Sequence, residues 1–186
     1  QTCALPIWTV SGAAGLWLSS QSGGPVITSV TIGKITDFNV TDANNMGAAM
    51  APAAADTIIA HLSDLGLEPN YYDAIITGDL GLTGSGMLRE LMDMHGYSLY
   101  DEKNNCFRHQ DCGAMIFDPI KQKTHSGGSG CGCIASVFAS YFYKQLQGGN
   151  LKRILVVGTG ALMSPISVKQ SESISGIAHA VAIEAQ

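Results

Sequence analysis

The sequence predicts an α/β fold, in which a sheet is covered by layers of helices. The predicted elements follow in the order strand, helix, strand, helix, loop, helix, strand, strand, which is typical of this class. Residues 153–158 form a nearly continuous apolar run, as expected of a central strand that is buried on both faces. With 186 residues, of which 46% are hydrophobic, the chain is long enough for one domain with a sizeable core.

The first elements of the chain are a strand and a long helix. Residues 25–37 are rich in β-branched side chains and predict a strand. Residues 47–65 predict a helix, because apolar side chains recur at helical spacing and Gly66 supplies a stop. The preceding segment, Asp42-Ala-Asn-Asn45, offers side chains of the kind that cap helix N-termini.

A short strand and a second helix come next. Residues 72–77 predict a buried strand that runs directly into Gly78 and Asp79. Residues 84–95 predict a helix that ends at Gly96. The inward face of this helix is expected to hold Leu88, Leu91, Met92 and His95.

The second half of the chain begins with a long irregular stretch, residues 97–129, which shows no sustained periodicity. A connection of this length inside a compact domain is usually functional. Residues 130–147 then predict a helix with Ile134, Val137, Phe138 and Tyr141 on its inward face. After the strand at 153–158, residues 176–184 predict a final strand that partly faces solvent.

Composition excludes several classes of protein. The chain is too apolar for intrinsic disorder, and its net charge of −5 argues against binding nucleic acid, whose phosphates favour clustered Lys and Arg. No apolar run approaches the ~18 residues that a membrane-spanning helix requires. Five cysteines are an odd number, which favours reduced thiols and a cytosolic compartment over a disulfide framework.

The most specific motif is the glycine-rich segment 125–133, which stands in front of the third predicted helix. Glycines let backbone amides approach a ligand closely, and a helix N-terminus adds partial positive charge. On this interpretation the segment is an anion site that would also activate a thiol placed there, such as Cys131. The alternative is a tight turn whose small residues merely pack against the sheet. The sequence leaves both interpretations open, while the spacing excludes a dinucleotide-binding GxGxxG motif.

Asp79 and His125 are the other candidate site residues. Asp79 follows a buried strand, where α/β sheets place ligand groups. It is predicted to act as a general base, to orient a histidine, or to cap the next helix. His125 lies at the mouth of the glycine-rich segment and is therefore a better site candidate than His61 or His179. Those two histidines are predicted to be structural.

A zinc site is a further alternative. The chain has enough soft ligands for tetrahedral zinc, in the order Cys106, His109, Cys112, His125, Cys131 and Cys133. Their spacing is not the paired CxxC pattern of a zinc ribbon, so the preferred prediction has no metal site.

Four stretches of the sequence resemble the stage V sporulation protein AD family of spore-forming Firmicutes, which belongs to the thiolase-like superfamily. They begin at Asp79, Cys112, His125 and Gly158, and they occur in the order found in that family. The resemblance implies the C-terminal half of a thiolase-like fold, with a mixed five-stranded sheet and helices, over residues 12–186. Residues 1–11 are expected to be a start that is foreign to the family.

Departures from the catalytic pattern of the thiolase-like superfamily weaken the interpretation of this chain as a condensing enzyme. Catalytic members of the superfamily take a nucleophilic cysteine from the other half and commonly a histidine at the strand-end position that here reads Gly78-Asp79. No catalytic residue and no cofactor are therefore assigned. The alternative, an acyltransferase or condensing enzyme of the thiolase superfamily, stays open.

The function implied by the resemblance is non-enzymatic binding of dipicolinic acid within the SpoVA complex, during uptake into the developing spore and release at germination. The expected partners are dipicolinate, free or as its calcium chelate, other SpoVA proteins, and a second copy in a homodimer. The expected location is the forespore, peripheral to the spore inner membrane. A glycine-rich turn suits one carboxylate of this planar dianion, and Arg108 or His125 could meet the other. The predicted ligand-binding residues are Asp79, Arg108, His125, Gly128, Ser129, Gly130 and Cys131.

The low content of charged residues, 13%, and the 22 glycines fit this interpretation. A face that packs against the other half of a two-half fold would be apolar, and turns built around a small anion would be rich in glycine. We therefore expect exposed apolar surface on this chain.

Overall fold

The computed structural model describes residues 7–21 and 23–186. Part of the start that is predicted to be foreign to the family, residues 1–6, lies outside the described residues. Within the described ranges, no helix has both the length and the apolar character needed to cross a membrane.

Nine strands and six helices make up the described fold. The strands are β1 (Trp8–Thr9), β2 (Val26–Ile32), β3 (Ala74–Thr77), β4 (Tyr100–Asp101), β5 (Cys106–Phe107), β6 (His109–Asp111), β7 (Gly128–Ser129), β8 (Arg153–Leu162) and β9 (Ser175–Glu184). The helices are α1 (Met46–Leu65), α2 (Gly81–Met94), α3 (Cys112–Met115), α4 (Gly132–Val137), α5 (Tyr143–Gln147) and α6 (Pro165–Lys169). A 3₁₀ turn covers Pro69–Tyr71, and a π turn, Phe138–Phe142, joins α4 to α5.

Five strands form one mixed sheet in the order β2-β9-β8-β3-β6. The pairs β2–β9 and β9–β8 are antiparallel, whereas β8–β3 and β3–β6 are parallel. The predicted α/β class and the mixed five-stranded sheet are therefore confirmed. Strand β6 was not predicted, because it has three residues and lies within the stretch that shows no periodicity.

Helices cover both faces of the sheet, and alternate residues of the central strands point into different cores. Ile75 of β3 and Leu155 of β8 pack with α1 and α2 on one face. Ile76 and Ile154, their neighbours along the chain, pack on the other face with the helix that α4 and α5 form. Burial on both faces explains why the central strands have nearly continuous apolar sequences.

The predicted ends of α1 agree with the structure. The side chain of Asn45 accepts a hydrogen bond from the backbone N–H of Ala48, which caps the first turn. Gly66 ends the helix in the left-handed conformation, with φ +63°, and its N–H donates back to the last turn. The prediction for α2 fails at one position: His95 lies beyond the end of the helix and is exposed.

The predicted helix over 130–147 is continuous but contains the π turn Phe138–Phe142. A π turn holds one residue more than an α-helical turn, so the inward face moves by one position beyond it. Phe142 and Leu146 consequently lie in the core, while Tyr141 is 45% exposed. The prediction that Tyr141 faces inward is wrong for this reason.

Replacing Phe142 by alanine should lower the free energy of unfolding by about 3–5 kcal/mol, because a buried aromatic ring leaves a cavity. The matched control is Tyr141→Ala at the adjacent position, where we expect a loss of about 1 kcal/mol or less. Urea denaturation of the two variants measures both changes. Similar losses would contradict the shift of the inward face.

Both histidines that were predicted to be structural have structural contacts. His61 is fully buried; its Nδ1 lies 2.7 Å from Thr31 Oγ1 and its Nε2 lies 2.6 Å from Tyr72 Oη. The ring therefore ties the edge strand β2 to α1 and to the segment before β3. His179 is exposed on β9, where its Nδ1 accepts a hydrogen bond from the backbone N–H of Gly33.

Stability should fall as pH drops below about 6.5, the pKa of an unperturbed histidine. Burial lowers the pKa of His61 in the folded chain, although the negative charge of Asp64 opposes the effect. The unfolded chain therefore binds this proton more readily, so the contribution is complete at neutral pH and is lost on acidification. In His61→Gln, the slope of the unfolding free energy against pH should be shallower by up to about 1.4 kcal/mol per pH unit.

Chemical denaturation between about pH 5 and pH 7 measures this slope. His179→Gln is the control, because His179 is exposed and should leave the slope close to that of the wild type. An unchanged slope in His61→Gln would contradict the role assigned to burial of His61.

Large apolar side chains are exposed in several parts of the chain, as the composition led us to expect. Trp17 is 94% exposed in the extended segment before β2, and Ile32 is 83% exposed at the end of β2. Further exposed residues of this kind are Leu16, Leu18, Val26, Ile27, Val30, Ile35, Phe38, Leu162 and Ile166. The folded chain thus leaves apolar surface that its own elements do not cover.

Candidate functional site

The candidate site lies where the parallel strands of the sheet end. Strand β3 runs parallel to β6 on one side and to β8 on the other, with Thr77 aligned to Asp111 and to Val157. The carboxyl ends of β3 and β6 therefore meet at one edge, which is where α/β sheets place ligand groups, while β8 continues beyond them to Leu162. Asp79 follows β3 at this edge, two residues after the strand ends.

Asp79 joins this edge of the sheet to the glycine-rich segment. Its Oδ2 accepts a hydrogen bond from the backbone N–H of Gly130 at 2.8 Å, and its Oδ1 accepts one from Thr159 Oγ1 at 3.0 Å. Asp79 does not cap α2 as predicted, because α2 begins at Gly81 with Leu80 as its N-cap residue, and both oxygens of Asp79 bond elsewhere. Asp79 is instead a clamp between β8 and the turn in front of α4.

We call residues 125–131 the glycine turn. Near its end, the backbone has a conformation that only glycine adopts readily. Gly130 has φ +97°, in the region that L side chains rarely enter. Strand β1 runs alongside the turn, with Trp8 donating its N–H to Gly127 O and Val10 donating to Ser129 O. The backbone N–H of Gly130 donates a hydrogen bond to the carboxylate of Asp79, which belongs to the same chain. In one interpretation of the sequence, this amide binds a ligand anion. In the structure, the amide already has a hydrogen-bond partner within the chain.

A second carboxylate, Asp111, is buried beside the site and was not among the predicted site residues. Its Oδ2 accepts from Thr77 Oγ1 at 2.7 Å and from Leu80 N at 2.9 Å. Its Oδ1 accepts from Gly81 N at 2.9 Å and from Ala114 N at 3.0 Å. Burial raises the pKa of the Asp111 carboxyl above its ordinary value, against these four hydrogen bonds, which lower it.

Asp111 escaped sequence-based prediction because the strand that carries it was not recognised. The signal that could have found it is the helix-capping pattern, since Asp111 caps the first turn of α3. A capping aspartate directly after a buried strand is a weak signal in isolation, because most such residues are exposed and serve one helix only.

The cysteines near the site differ in exposure. Cys112 and Cys133 are buried, and Cys131 is exposed at the end of the glycine turn. Burial raises the pKa of the Cys133 thiol to about 12 and also raises the pKa of Cys112, with the nearby charges of Asp79 and Asp111 acting in the same direction. These two thiols are therefore protonated at neutral pH, and the thiolate is the reactive form of cysteine.

The four cysteines of the described residues are free, and Cys3 lies outside those residues. In the described part of the chain, no group of three or more His, Cys, Asp or Glu side chains is arranged to hold a metal ion. Of the ligands in the zinc alternative, Cys106 is exposed on β5 while His109 and Cys112 are buried. His109 Nε2 lies 2.8 Å from Thr77 Oγ1.

The structure does not bring Arg108 to the glycine turn. Its guanidinium forms an ion pair with Asp101 at 2.7 Å and donates to the carbonyl of Tyr72 at 3.3 Å. Arg108 directly precedes β6, and its carbonyl accepts from Ile75 N near the start of β3. It therefore lies at the end of the parallel strands opposite to Asp79, because a residue that begins a strand cannot reach the edge where the strand ends.

The remaining predicted residues are contiguous. Gly128 and Ser129 form β7, Gly130 bonds to Asp79, and Cys131 is exposed in front of α4. His125 is exposed and has φ +52°, and the next residue, Ser126, accepts a hydrogen bond from Leu82 N in the first turn of α2. The structure thus brings Asp79 together with the glycine turn and leaves Arg108 at the other end of the strands.

This geometry defines a class of protein. In this class, a mixed α/β chain has a carboxylate at a strand end that is hydrogen-bonded to a glycine turn. The family model of Stage V sporulation protein AD matches residues 1–184. Stage V sporulation protein AD of Bacillus subtilis (strain 168) is 44% identical over 176 residues, which are 95% of this chain and 50% of the relative. The chain belongs to the Stage V sporulation protein AD family, as the resemblance of its motifs indicated. It spans about half the length of the curated relative that it matches.

Three solved structures are similar to this chain at low sequence identity. AbyA1, a tetronic acid condensing enzyme, has a TM-score of 0.49 and 16% identity, over 90% of this chain and 50% of that chain. The 3-oxoacyl-(acyl carrier protein) synthase III of Pseudomonas aeruginosa PAO1 has a TM-score of 0.36 and 12% identity, over 88% of this chain and 52% of its own. The corresponding enzyme of Aquifex aeolicus VF5 has a TM-score of 0.36 and 14% identity, over 88% of this chain and 54% of its own.

Replacing Asp79 by alanine should free the glycine turn from the sheet. The N–H of Gly130 and the hydroxyl of Thr159 would both lose their partner, at a cost of about 1–3 kcal/mol in unfolding free energy. Thr159→Val is the matched variant, because it removes one of the two hydrogen bonds and keeps the carboxylate. We expect a smaller loss in Thr159→Val, measured by urea denaturation. A larger loss in Thr159→Val than in Asp79→Ala would contradict the clamp.

Proposed function

We propose that this chain is part of a non-enzymatic binding protein for dipicolinate that acts with other SpoVA proteins in spore formation and germination. The observation that carries the proposal is membership of a sporulation protein family, combined with a glycine turn that is partly open to solvent. Dipicolinate is a small planar dianion, and such a ligand requires backbone amides, hydroxyls and at least one positive charge around it.

His125 is the side chain in the glycine turn that can supply positive charge to this ligand. It is exposed at the start of the turn, and Ser129 and Cys131 follow in the same segment. Because Asp79 already holds the N–H of Gly130, we place the ligand against His125 and Ser129 rather than on that amide. Arg108 is left out, because its guanidinium is engaged by Asp101 at the other end of the strands.

The hydrogen bonding of Asp79 supports binding over acyl transfer. Both oxygens of Asp79 accept a hydrogen bond, from the Gly130 N–H and from the Thr159 hydroxyl, which gives this carboxylate a role in holding the glycine turn. The buried thiols of Cys112 and Cys133 have raised pKa values, which disfavours either as a nucleophile. Formation of a covalent acyl-protein with an acyl-CoA, detected by mass spectrometry, would overturn the proposal in favour of the alternative.

Replacing His125 by alanine in the full natural protein should weaken dipicolinate binding by about tenfold or more, the effect of one charge-assisted hydrogen bond. Isothermal titration calorimetry measures the affinity, with pyridine-3,5-dicarboxylate as a control ligand whose carboxylates lie away from the ring nitrogen.

Arg108→Ala is the control variant for this measurement. It removes a cation from the opposite end of the strands and should leave the affinity unchanged, while the loss of the pair with Asp101 lowers stability. Absence of dipicolinate binding by the wild-type protein would contradict the proposed function. Equal affinity in His125→Ala and the wild type would remove His125 from the site.

A further inference from the structure

We propose that Asp111 is the positioning residue of the site: its buried carboxylate sets the place of Asp79 and thereby the hydrogen bond between Asp79 and the glycine turn. This inference rests on the proposed binding function for its consequence on ligand affinity. Its geometric part concerns the chain without ligand. Asp111 does not touch the turn amide at Gly130, so it acts through its neighbours.

The first step is the contact of Asp111 with the residues around Asp79. Thr77 precedes Asp79 by two residues, and Leu80 follows it directly. The Thr77 hydroxyl and the Leu80 N–H both donate to Asp111 Oδ2, at 2.7 and 2.9 Å. Asp111 therefore holds the chain on both sides of Asp79, which fixes where the Asp79 side chain leaves the backbone.

The second step links the same carboxylate to the glycine turn. Asp111 Oδ1 accepts from Gly81 N and from Ala114 N, so it joins the start of α2 to the start of α3. Both starts lie against the turn: a Cβ on Gly81 would come 2.6 Å from Ser126 O, and one on Gly113 would collide with Gly128 O. Gly113 N also donates to Gly78 O at 2.9 Å. The Asp111 carboxylate thus fixes the starts of α2 and α3, which lie on the two sides of the hydrogen bond between Asp79 and Gly130.

The hydrogen-bond directions make a carboxylate necessary at position 111. All four partners of Asp111 are donors, namely one hydroxyl and three backbone N–H groups. The Thr77 hydroxyl donates its proton to Asp111, so the contact with His109 Nε2 requires that this nitrogen carries the proton. An amide of the same shape would present an NH₂ group to donors and would lose at least one oxygen acceptor.

Asp111→Asn tests the inference, because it keeps the volume of the side chain and reverses part of its hydrogen bonding. In the ligand-free protein, the amide of Gly130 should exchange with deuterium at least about tenfold faster than in the wild type, as expected for the loss of one strong hydrogen bond. In the same variant, the affinity for dipicolinate should fall by at least about tenfold. Hydrogen exchange followed by NMR and calorimetry measure the two effects separately.

Asp101→Asn is the matched control. Asp101 is also a buried carboxylate that accepts several hydrogen bonds, from Lys103 N, Asn104 Nδ2 and Arg108, but it lies away from the strand ends that form the site. It should leave exchange at Gly130 and dipicolinate affinity close to those of the wild type. Equal acceleration at Gly130 in both variants would overturn the inference, because a loss of general stability would then explain it.

A second pair of variants keeps the test decisive if Asp111→Asn does not fold. Thr77→Val removes one of the four donors to Asp111 and should accelerate exchange at Gly130 by a smaller factor. Thr57→Val removes a buried hydroxyl that donates to Ala178 O at 3.0 Å, away from the site, and should not. The same exchange rate at Gly130 in these two variants would overturn the inference. If the wild-type protein fails to bind dipicolinate, the proposed function falls, and the exchange rates still decide the role of Asp111.

Discussion

The parallel pairing of β3 with both β6 and β8 is the constraint on which the site depends. It places the ends of β3 and β6 beside the continuing strand β8, so that polar residues at and after these ends must find partners within a small space. Asp79 and Asp111 meet this requirement by accepting hydrogen bonds from backbone N–H groups and hydroxyls. A buried or half-buried carboxylate is stable only when its oxygens are satisfied in this way. The glycine turn is held in place as a result.

Satisfying the carboxylates in this way gives both of them a structural role at the strand ends. Asp79 and Asp111 together accept six hydrogen bonds, and all of them come from groups of the same chain. Groups engaged in this way are preorganised, so the glycine turn has a fixed position relative to the sheet.

Much of the fold could be predicted from the sequence, because the central elements have strong local signals. The apolar run that begins at Arg153 identified β8, and the pair Asn45 and Gly66 marked both ends of α1. Strand β6 could not be predicted, since its three residues are all polar, are too few to show a period, and gain their conformation only by pairing with β3. Tyr141 was misplaced because periodicity assumes an α-helix, and nothing in the sequence announces a π turn.

The site was predicted in part for the same reason. Asp79 and the glycine turn are close to elements with strong signals, so their positions followed from the order of strands and helices. Arg108 was assigned to the turn by its nearness in sequence, but a short strand separates it from the edge where Asp79 lies. Direction along a parallel strand therefore matters more for a site residue than separation along the chain.

The π turn in the middle of the helix over 132–147 has a consequence for changes in chain length. A π turn accommodates one additional residue without ending the helix. Deleting a single residue within Phe138–Phe142 would convert it to an α-helical turn and leave the inward faces of both flanking segments unchanged. The same deletion in α1 or α2 would rotate everything beyond it by about 100° around the helix axis, since an α-helix has about 3.6 residues per turn. Among these helices, this one therefore has a built-in position at which evolution can add or remove a residue without disturbing the core.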